Sequence, residues 1–433
     1  QKSNFQNTSL QWGYDFNHES LATRELVDSV NAFWMKEYKV DGFRFDFTKG
    51  FSNTPYSSSS WGSEYDAPRI ANLKRMTNEI RKRNADAFVI FEHLAENSEE
   101  TELANAGIML WGNMHGSYNE AARGNTANSN LSWAVYSNRG WSQPNLVSYP
   151  ESHDEERIMY TIKQSGLSSG TYNIKNQTTA LKRIELNALF HIPLPGPKMI
   201  WQFGERGYDQ SINRCENGTI SNDCRLSPKP SYWQYLNNPD RIALFKVMAK
   251  LNELKQKYDE FSFGNFSADL TGAVKWYRFT AGSNHVLAVG NFDIVDKSAS
   301  LSFPATGKWY EFFKGDSIEI GSVNQTIQLA PGEYRLYSTR KFDNPNVVTQ
   351  NKPELKQSEI KVYPNPAQDE INISAIENFS EVMVFSVTGR LVYRVKTGSV
   401  NHLKINTATY VPGVYLLKII QNNQNSTLKF VKE

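Results

Sequence analysis

Three apolar segments of this chain each end in a carboxylate, and this pattern constrains the fold more than any other feature. The segments cover residues 40–46, 87–92 and 145–154, and they end in Asp46, Glu92 and Asp154. A carboxylate at the end of a buried strand is unfavourable unless another group pairs with it or uses it. Helical segments separate these strands, as in a parallel α/β enzyme whose functional side chains converge at the carboxyl ends of the strands. We therefore expect the three acidic side chains to share one site.

Hydrophobic periodicity predicts the elements around these strands. Helices are expected after Ser20 to residue 38 and over 68–84, 178–190 and 240–258, and strands over 40–47, 87–92, 107–111, 146–149 and 198–203. In the first helix Leu26, Val27, Val30, Phe33, Trp34 and Tyr38 are spaced for one apolar face. An open doubly wound sheet can hold five parallel strands, whereas a parallel barrel needs eight. The pattern by itself leaves both arrangements open.

The pattern changes after about residue 258. Short alternating segments with intervening turn residues predict an antiparallel β-domain over 259–339. Residues 340–359 are polar, contain two prolines and are typical of a linker. A second small β-domain is expected over 360–433, so the predicted catalytic region is 1–258.

Composition excludes several classes of protein. The chain has 433 residues with 47 basic and 45 acidic side chains, a net charge of +2 that favours no nucleic-acid or other polyanionic partner. No apolar run is long enough for a transmembrane segment, and no cysteine and histidine cluster has zinc spacing. Aromatic residues make up 13%, which suits stacking on sugar rings but also suits a large core. Cys215 and Cys224 lie close together in a polar loop, either as one local disulfide or as two free thiols.

The residues around the three carboxylates indicate what each could do. Arg44 and Asp46 are two positions apart on a strand and point to the same side, so the arginine keeps the carboxylate ionised, as a nucleophile requires. Glu92 follows four apolar residues, and a desolvated glutamate makes a good general acid. Each feature also has a structural interpretation: an ion pair, an exposed strand end, or, for His153 and Asp154, a loop contact. Together they match the carboxylates of a retaining glycosidase, with the first two roughly 5–6 Å apart.

The motifs resemble glycoside hydrolase family 13, the α-amylase family. Residues 41–49 (DGFRFDFTK), the strand ending in Glu92 and residues 151–154 (ESHD) are similar to its second, third and fourth sequence regions in order, spacing and flanking residues. The resemblance implies a TIM barrel followed by an antiparallel β-domain. It makes Asp46 the nucleophile, Glu92 the acid/base and Asp154 the transition-state stabiliser. Arg44 and His153 are then sugar contacts, and Lys49 lies on the leaving-group side.

The sequence also departs from this family. Residues 12–17 resemble the segment before the fourth strand, so the first three strands and the first sequence region are missing, and the barrel is partial, with its last five strands. Residue 1 is not Met, and no signal-peptide pattern follows, so we expect the chain to be a fragment. The family's usual calcium site uses an asparagine of the missing region. Gly50 also stands where many amylases have a histidine, so no cofactor is certain and calcium is expected, if at all, in the full-length protein.

The last 74 positions carry a second resemblance. Residues 362–367 (VYPNPA), 387–390 (VTGR), 412–418 (PGVYLLK) and 429–432 (KFVK) resemble a type IX secretion C-terminal sorting domain, a small β-sandwich. An immunoglobulin-like spacer or a sugar-binding module is the alternative. The resemblance implies export across an outer membrane by the type IX machinery to a secreted or cell-surface location. It also favours the disulfide between Cys215 and Cys224.

The sequence therefore predicts a retaining, endo-acting α-amylase that hydrolyses α-1,4-glucosidic bonds in starch, glycogen and maltooligosaccharides. A neopullulanase, α-glucosidase or transglycosylase of the same family would use the same residues. A non-catalytic starch-binding homologue is the alternative from another class, and retention of Asp46, Glu92 and Asp154 argues against it.

Overall fold

The computed structural model describes residues 16–55, 60–345, 360–386, 390–421 and 424–433. The chain divides into two compact units, Gln1–Val347 and Val348–Glu433. Residues 12–15 of the predicted family segment and the predicted turn at 388–389 lie outside the described residues.

A parallel sheet with helices between its strands forms the first part of unit 1. Its strands are adjacent in sequence order, β1 to β4, and all three pairings are parallel. The elements are α1 (Leu21–Glu37), β1 (Gly42–Phe45), α2 (Ala67–Arg81), β2 (Phe88–Phe91), α3 (Asn97–Asn105), β3 (Met109–Asn113), α4 (His115–Arg123), β4 (Leu146–Tyr149), α5 (Ile158–Ser165), the short pair β5 (Ser168–Ser169) and β6 (Tyr172–Asn173), α6 (Gln177–Leu189), α7 (Pro239–Lys257) and α8 (Glu260–Phe263).

Local chemistry explains where these elements begin and pair. The Asp66 side chain accepts a hydrogen bond from the Arg69 amide at 3.0 Å and caps α2, and Asn238 caps α7 in the same way just before Pro239. Gly42 starts β1 opposite Phe88, where a Cβ atom would lie 2.1 Å from the Phe88 carbonyl oxygen. Only glycine therefore allows the two strands to approach at this point, which places Asp46 beside Glu92 at the other end.

The predicted helices and the first four predicted strands agree with the structure, but the prediction of a fifth strand was wrong. In the segment 198–203 only Lys198 makes a parallel bridge, to Ser148, and the Met199 amide donates to the Ser148 carbonyl at 3.1 Å. Pro195 and Pro197 remove backbone donors just before it, and Phe203 has a left-handed backbone with φ of 60°. The sequence of this segment has the apolar pattern of a strand, but its backbone does not continue the hydrogen bonding with β4.

The apolar side chains on one face of α1 are only partly buried. Val27 and Met35 pack against the core beneath α2. The other apolar side chains of that face stay exposed, namely Leu26, Val30, Phe33, Trp34 and Tyr38. Among the described residues nothing covers this face.

An antiparallel β-domain completes unit 1. Its strands are β7 (Asn265–Asp269), β8 (Val274–Ala281), β9 (Asn284–Asn291), β10 (Lys297–Ser302), β11 (Gly307–Glu311), β12 (Ser317–Ile320), β13 (Asn324–Leu329) and β14 (Tyr334–Ser338). Six of them form a sheet in the order β12-β11-β14-β9-β8-β7, and β10 pairs with β13. One face of the larger sheet packs on α6 and α7, because Tyr277, Phe279 and Phe292 belong to the same core as Leu186 and Leu251.

The predicted linker begins later than residue 340. Phe342 is buried and its ring lies 4.5 Å from that of Tyr258, and the Asn344 amide donates to the Phe313 carbonyl at 3.0 Å. The start of this polar segment therefore packs on unit 1, and residues 346–359 of the predicted linker lie outside the described residues.

Unit 2 is an all-β module. Its strands are β15 (Lys361–Tyr363), β16 (Glu370–Ser386), β17 (Leu391–Asn406), β18 (Gly413–Gln421) and β19 (Gln424–Lys432). All five join one hydrogen-bonded network in the order β15-β16-β18-β19, with β17 also on β16, and the predicted two-layered sandwich stays a prediction. Register shifts between Ser374 and Phe379 divide the long β16 into two paired halves. Ile371, Val384 and Leu417 contribute to its own core.

Arg183 joins the α/β part of unit 1 to its β-domain. Its buried guanidinium donates to the carbonyls of Ala121, Ala122, Asn291 and Phe292, which joins α6 to α4 and to the end of β9. Arg183→Met removes the donor of these hydrogen bonds, and we expect the free energy of unfolding to fall by about 3–5 kcal/mol.

Urea unfolding followed by tryptophan fluorescence measures this loss, because all ten tryptophans precede residue 348 and report unit 1 alone. Arg83→Met, which removes a partly exposed arginine from the end of α2, is the matched control and should change stability by less than about 0.5 kcal/mol. Equal stability of the Arg183 and Arg83 variants would contradict this account.

Candidate active site

The carboxyl ends of β1 to β4 bring the predicted carboxylates to one edge of the sheet. Asp46 directly follows β1 and Glu92 directly follows β2, while His153 and Asp154 lie on the bend after β4. Parallel strands in this order put all three positions at the same end, as predicted from the sequence.

One guanidinium joins the two carboxylates at the centre. Arg44 Nη1 donates to Asp46 Oδ1 at 2.7 Å, and Arg44 Nη2 makes a very short contact with Glu92 Oε2. The Phe47 amide also donates to Glu92 Oε2 at 3.3 Å. The two carboxylates differ in environment, because the Asp46 side chain is 76% exposed and that of Glu92 only 12%.

This difference separates the pKa values of the pair. Burial raises the pKa of Glu92 to about 7, helped by its hydrogen bond to Asp46 and opposed by the charge of Arg44. The interaction with Glu92 is the main cause that lowers the pKa of Asp46 below its ordinary value; burial opposes it, and the attraction of Arg44 adds to the lowering. Near neutral pH the site therefore holds one proton, on Glu92, and one charge, on Asp46. The separation of roughly 5–6 Å between the two carboxyl groups stays a prediction.

Aromatic rings that the sequence interpretation did not select form the base of the site. The guanidinium of Arg44 lies 4.1 Å from the ring centre of Trp111, which contacts Tyr149 at 5.0 Å. The His153 ring lies between Trp111 at 6.1 Å and Trp201 at 5.8 Å. A signal was available, because Trp111 and Tyr149 lie on β3 and β4 near the same strand ends as the carboxylates.

Asp154 belongs to the same cluster. Its Oδ2 lies 3.2 Å from His153 Nε2, and its side chain is 49% exposed. The His153 charge contributes to lowering the pKa of Asp46. Burial chiefly raises the pKa of the Tyr149 phenol, and the charges of Glu92 and Asp154 both add to that rise. The structure therefore brings together Arg44, Asp46, Glu92, His153 and Asp154.

Lys49 lies to one side of this cluster. Its ammonium donates to Ser63 Oγ at 3.2 Å and to the Leu94 carbonyl at 3.3 Å. Burial and the nearby charge of Arg69 lower its pKa. Lys49 is thus held at the loops that follow β1 and β2, with its charge partly attracted by Glu92.

A buried network supports the loop that carries Glu92. The Thr48 amide donates to the Glu92 carbonyl at 2.9 Å, and Thr48 Oγ1 lies 2.9 Å from His93 Nδ1. His93 Nε2 lies 2.9 Å from Glu99 Oε1, and Glu99 in turn accepts two hydrogen bonds from Arg69. Apart from His93 with Glu99, these contacts join residues 30 to 45 positions apart, which sequence spacing did not reveal. They lock the backbone on both sides of Glu92.

The two cysteines form a disulfide in the structure, with their Cα atoms 5.0 Å apart. Arg225 follows the second cysteine and contacts Asp154. This contact was not predicted, because neither the loop length nor its residues indicate what the loop touches.

Among the described residues no three His, Cys, Asp or Glu side chains are placed together to hold an ion. Calcium in the full-length protein stays a prediction. A cavity of about 740 Å³ lies near the opposite ends of the strands and is lined by Pro144, Lys198, Lys255 and Phe266. It contains none of the predicted site residues.

Comparison with known proteins identifies the class. The family model "Alpha amylase, catalytic domain" matches residues 6–244, more than half of the chain. The chain thus belongs to the α-amylase family of glycoside hydrolases, family 13. The model "Secretion system C-terminal sorting domain" matches residues 361–433, which marks the protein for export by type IX secretion. Within the part of the chain that the structure describes, no helix is long and apolar enough to cross a membrane. No curated protein sequence matches the chain.

Solved α-amylases share the fold. The Anoxybacillus α-amylase is 16% identical with a TM-score of 0.54 and aligns with 75% of this chain and 64% of its own. The Geobacillus thermoleovorans α-amylase, solved with acarbose, is 13% identical with a TM-score of 0.54 over 75% and 65%. The maltogenic α-amylase AmyB of Thermotoga neapolitana is 14% identical with a TM-score of 0.53 over 78% and 70%. The chain spans less than two thirds of the first two proteins.

Removal of Arg44 tests the electrostatics of the site. In Arg44→Met both carboxyl groups lose the attraction of the guanidinium for their ionised forms, so the pKa of Asp46 and of Glu92 should each rise by about one unit or more. Carbon-13 NMR titration of labelled carboxyl groups measures both values, with Asp46→Asn and Glu92→Gln for assignment. Arg24→Met, on α1 and bonded to the His18 carbonyl, is the control and should leave both unchanged. Unchanged values in the Arg44 variant would refute the assignment of Arg44 as the shared counter-ion.

Proposed function

We propose that the protein is a retaining, endo-acting α-amylase that hydrolyses α-1,4-glucosidic bonds in starch and related glucans. The observation that carries this proposal is the opposite shift in pKa of two carboxyl groups held by one arginine at a strand edge. A double displacement needs an ionised nucleophile and a protonated acid at the same pH. Asp46 and Glu92 supply this pair near neutral pH.

The first step forms a bond between Asp46 and the anomeric carbon and breaks the glycosidic bond. An Asp46 oxygen attacks the anomeric carbon while the proton of Glu92 moves to the leaving glycosidic oxygen, which gives a covalent glycosyl-enzyme and a shortened glucan. In the second step the Glu92 carboxylate removes a proton from water, and the hydroxide oxygen attacks the anomeric carbon and releases Asp46.

The remaining site residues are assigned to binding the sugar and stabilising the transition state. Asp154 is placed to accept hydrogen bonds from sugar hydroxyls and to stabilise positive charge at the anomeric carbon. Arg44 and His153 line the cleavage position, where the Arg44 guanidinium rests on the Trp111 ring and the His153 ring lies beside that of Trp201. Lys49, held beside the Glu92 loop, is assigned to the leaving-group side.

The strands of the parallel sheet are assigned to positions of a barrel. We assign β1 to β4 to strands four to seven of a (β/α)8 barrel and the segment at Lys198, which bridges to β4, to the eighth. Residues 259–345 are the β-domain that follows the barrel. Because the chain spans less than two thirds of the first similar structures, the activity is proposed for the full-length secreted protein.

The proposed substrate is an α-glucan. The products released first show whether the enzyme cleaves bonds inside the chain or at its end. One protein of similar fold is named a maltogenic α-amylase, so exo action is the second candidate. Endo action produces a broad range of oligosaccharides early in the reaction, whereas exo action releases one short product from the start. Chromatography of the first products of soluble starch therefore decides between the two.

Variants of the two carboxyl groups test the mechanism. In the full-length protein Asp46→Asn should lower kcat on starch by about 10³-fold or more with little loss of starch binding, because the amide keeps the shape but cannot attack. Glu92→Gln should also lose starch hydrolysis but still react with α-glucosyl fluoride, whose fluoride leaves without a proton.

The pH dependence of kcat/KM follows from the protonation states that the mechanism requires of Glu92 and Asp46. Glu92 must be protonated in the first step, so kcat/KM of the wild type on starch should fall as pH rises through about 7. On the acid side, activity should persist to a pH below the ordinary pKa of an aspartate, because that of Asp46 is lowered.

The control is Asp41→Asn, which changes an exposed aspartate at the opposite end of β1 and should leave kinetics unchanged. Wild-type turnover by the Asp46 variant, or starch binding by the wild type without any hydrolysis, would reject the proposal in favour of a binding protein.

A further inference from the structure

A loop closed by the disulfide lies against the segment that carries Asp154. Cys215 and Cys224 are bonded across nine positions, and Arg225 follows at once. Arg225 Nη2 makes a very short contact with the Asp154 carbonyl oxygen and lies 3.4 Å from its Oδ1. The arginine therefore contacts both the backbone and the carboxylate of Asp154.

A second contact ties this loop to the same segment. The Glu156 carboxylate accepts hydrogen bonds from Ser211 Oγ at 2.5 Å and from the Ile212 amide at 2.7 Å. Within the loop, Lys229 Nζ donates to the carbonyls of Cys224 and Ser227, both at 2.7 Å. The loop thus contacts the segment of Asp154 and Glu156 on both sides of the disulfide, through Ser211 and Ile212 before it and through Arg225 after it.

Asp154 itself has little local support. It lies on a bend outside helices and strands, its side chain is half exposed, and its amide donates to Ser152 Oγ at 3.0 Å. The carboxylate contacts only two cationic side chains among the described residues, its neighbour His153 and the distant Arg225. Without Arg225, only the adjacent ring restrains the side-chain torsions of Asp154.

We propose that Arg225 is a positioning residue for Asp154 and that the Cys215–Cys224 disulfide holds Arg225 in place. This inference rests on the proposed function, in which Asp154 stabilises the transition state. A half-exposed ion pair contributes little to stability. Catalytic groups, by contrast, must be held to within a fraction of an ångström, and an error of about 1 Å costs on the order of 100-fold in rate.

The disulfide is needed because the loop has little regular structure of its own. Residues 214–224 contain one short turn of 3₁₀ helix, Asn222–Cys224, and one isolated bridge, from Arg214 to Ile220. A covalent link limits the conformations open to such a loop. Export by type IX secretion places the protein where a disulfide persists.

Substitution of Arg225 in the full-length protein separates positioning from structure. Arg225→Ala should lower kcat on starch by about 10- to 100-fold with little change in KM, because the loss falls on the transition state. Arg225→Lys keeps a charge but not the forked contact, and it should recover part of the rate. Both should unfold at the wild-type temperature. Glu216→Gln, an exposed charge in the same loop, is the control and should keep wild-type kinetics.

A double-mutant cycle tests the disulfide. Cys215→Ser with Cys224→Ser should lower kcat in the same direction as Arg225→Ala, and addition of Arg225→Ala to this pair should lower it little further, since both changes release the same side chain. Fully additive losses would overturn the proposed link between the disulfide and Arg225.

Two readouts keep this inference distinct from the proposed function. A wild type without hydrolysis rejects the proposed function, whereas wild-type kinetics in Arg225→Ala reject the inference alone. Crystal structures of wild type and Arg225→Ala decide the positioning independently of activity. A displaced or disordered Asp154 carboxylate in the variant supports the inference, and an unchanged one overturns it.

Discussion

The paired contact of Arg44 with Asp46 and Glu92 is the interaction on which the site depends. It requires two adjacent parallel strands in one register, since Arg44 lies on β1 and its second partner follows β2. The same guanidinium rests on Trp111 of β3, so three strands determine its position. A single arginine between one exposed and one buried carboxylate keeps the first ionised and leaves the second protonated near neutral pH. This division of roles is what a double displacement requires.

The scaffold explains why the arrangement is stable. Close approach at Gly42 sets the register of β1 and β2, and the buried Arg69–Glu99–His93 contacts hold the loops beyond their ends. A buried ion pair such as Arg69 with Glu99 is weak evidence for stability. Its effect here is geometric, since it fixes the backbone on both sides of Glu92. The aromatic side chains beneath Arg44 exclude water from one side of the pair and leave Asp46 open to substrate.

Much of this organisation could be predicted from the sequence, and the exceptions have physical reasons. Asp46, Glu92 and Asp154 were predictable because each ends an apolar run, and parallel strands bring such ends together. The segment at Lys198 was not, because its apolar pattern is that of a strand, while the structure has one bridge at Lys198 and a left-handed backbone at Phe203. The exposed side chains of α1 show the limit of periodicity, which identifies an apolar face but not what covers it. The contact of Arg225 with Asp154 joins positions 71 apart through an irregular loop, and no local pattern encodes it.

The central claim is that Asp46 becomes covalently bound to the sugar, and trapping that intermediate tests it most directly. A 5-fluoro glucosyl fluoride slows both chemical steps, and its fluoride leaves readily, so the glycosyl-enzyme should accumulate in the full-length protein. Mass spectrometry of proteolytic peptides then locates the label. The account predicts one fluoroglucosyl group per protein on the peptide that contains Asp46, and no label in Asp46→Asn. A label on Glu92 or Asp154, or normal hydrolysis with no covalent label at any time, would contradict it.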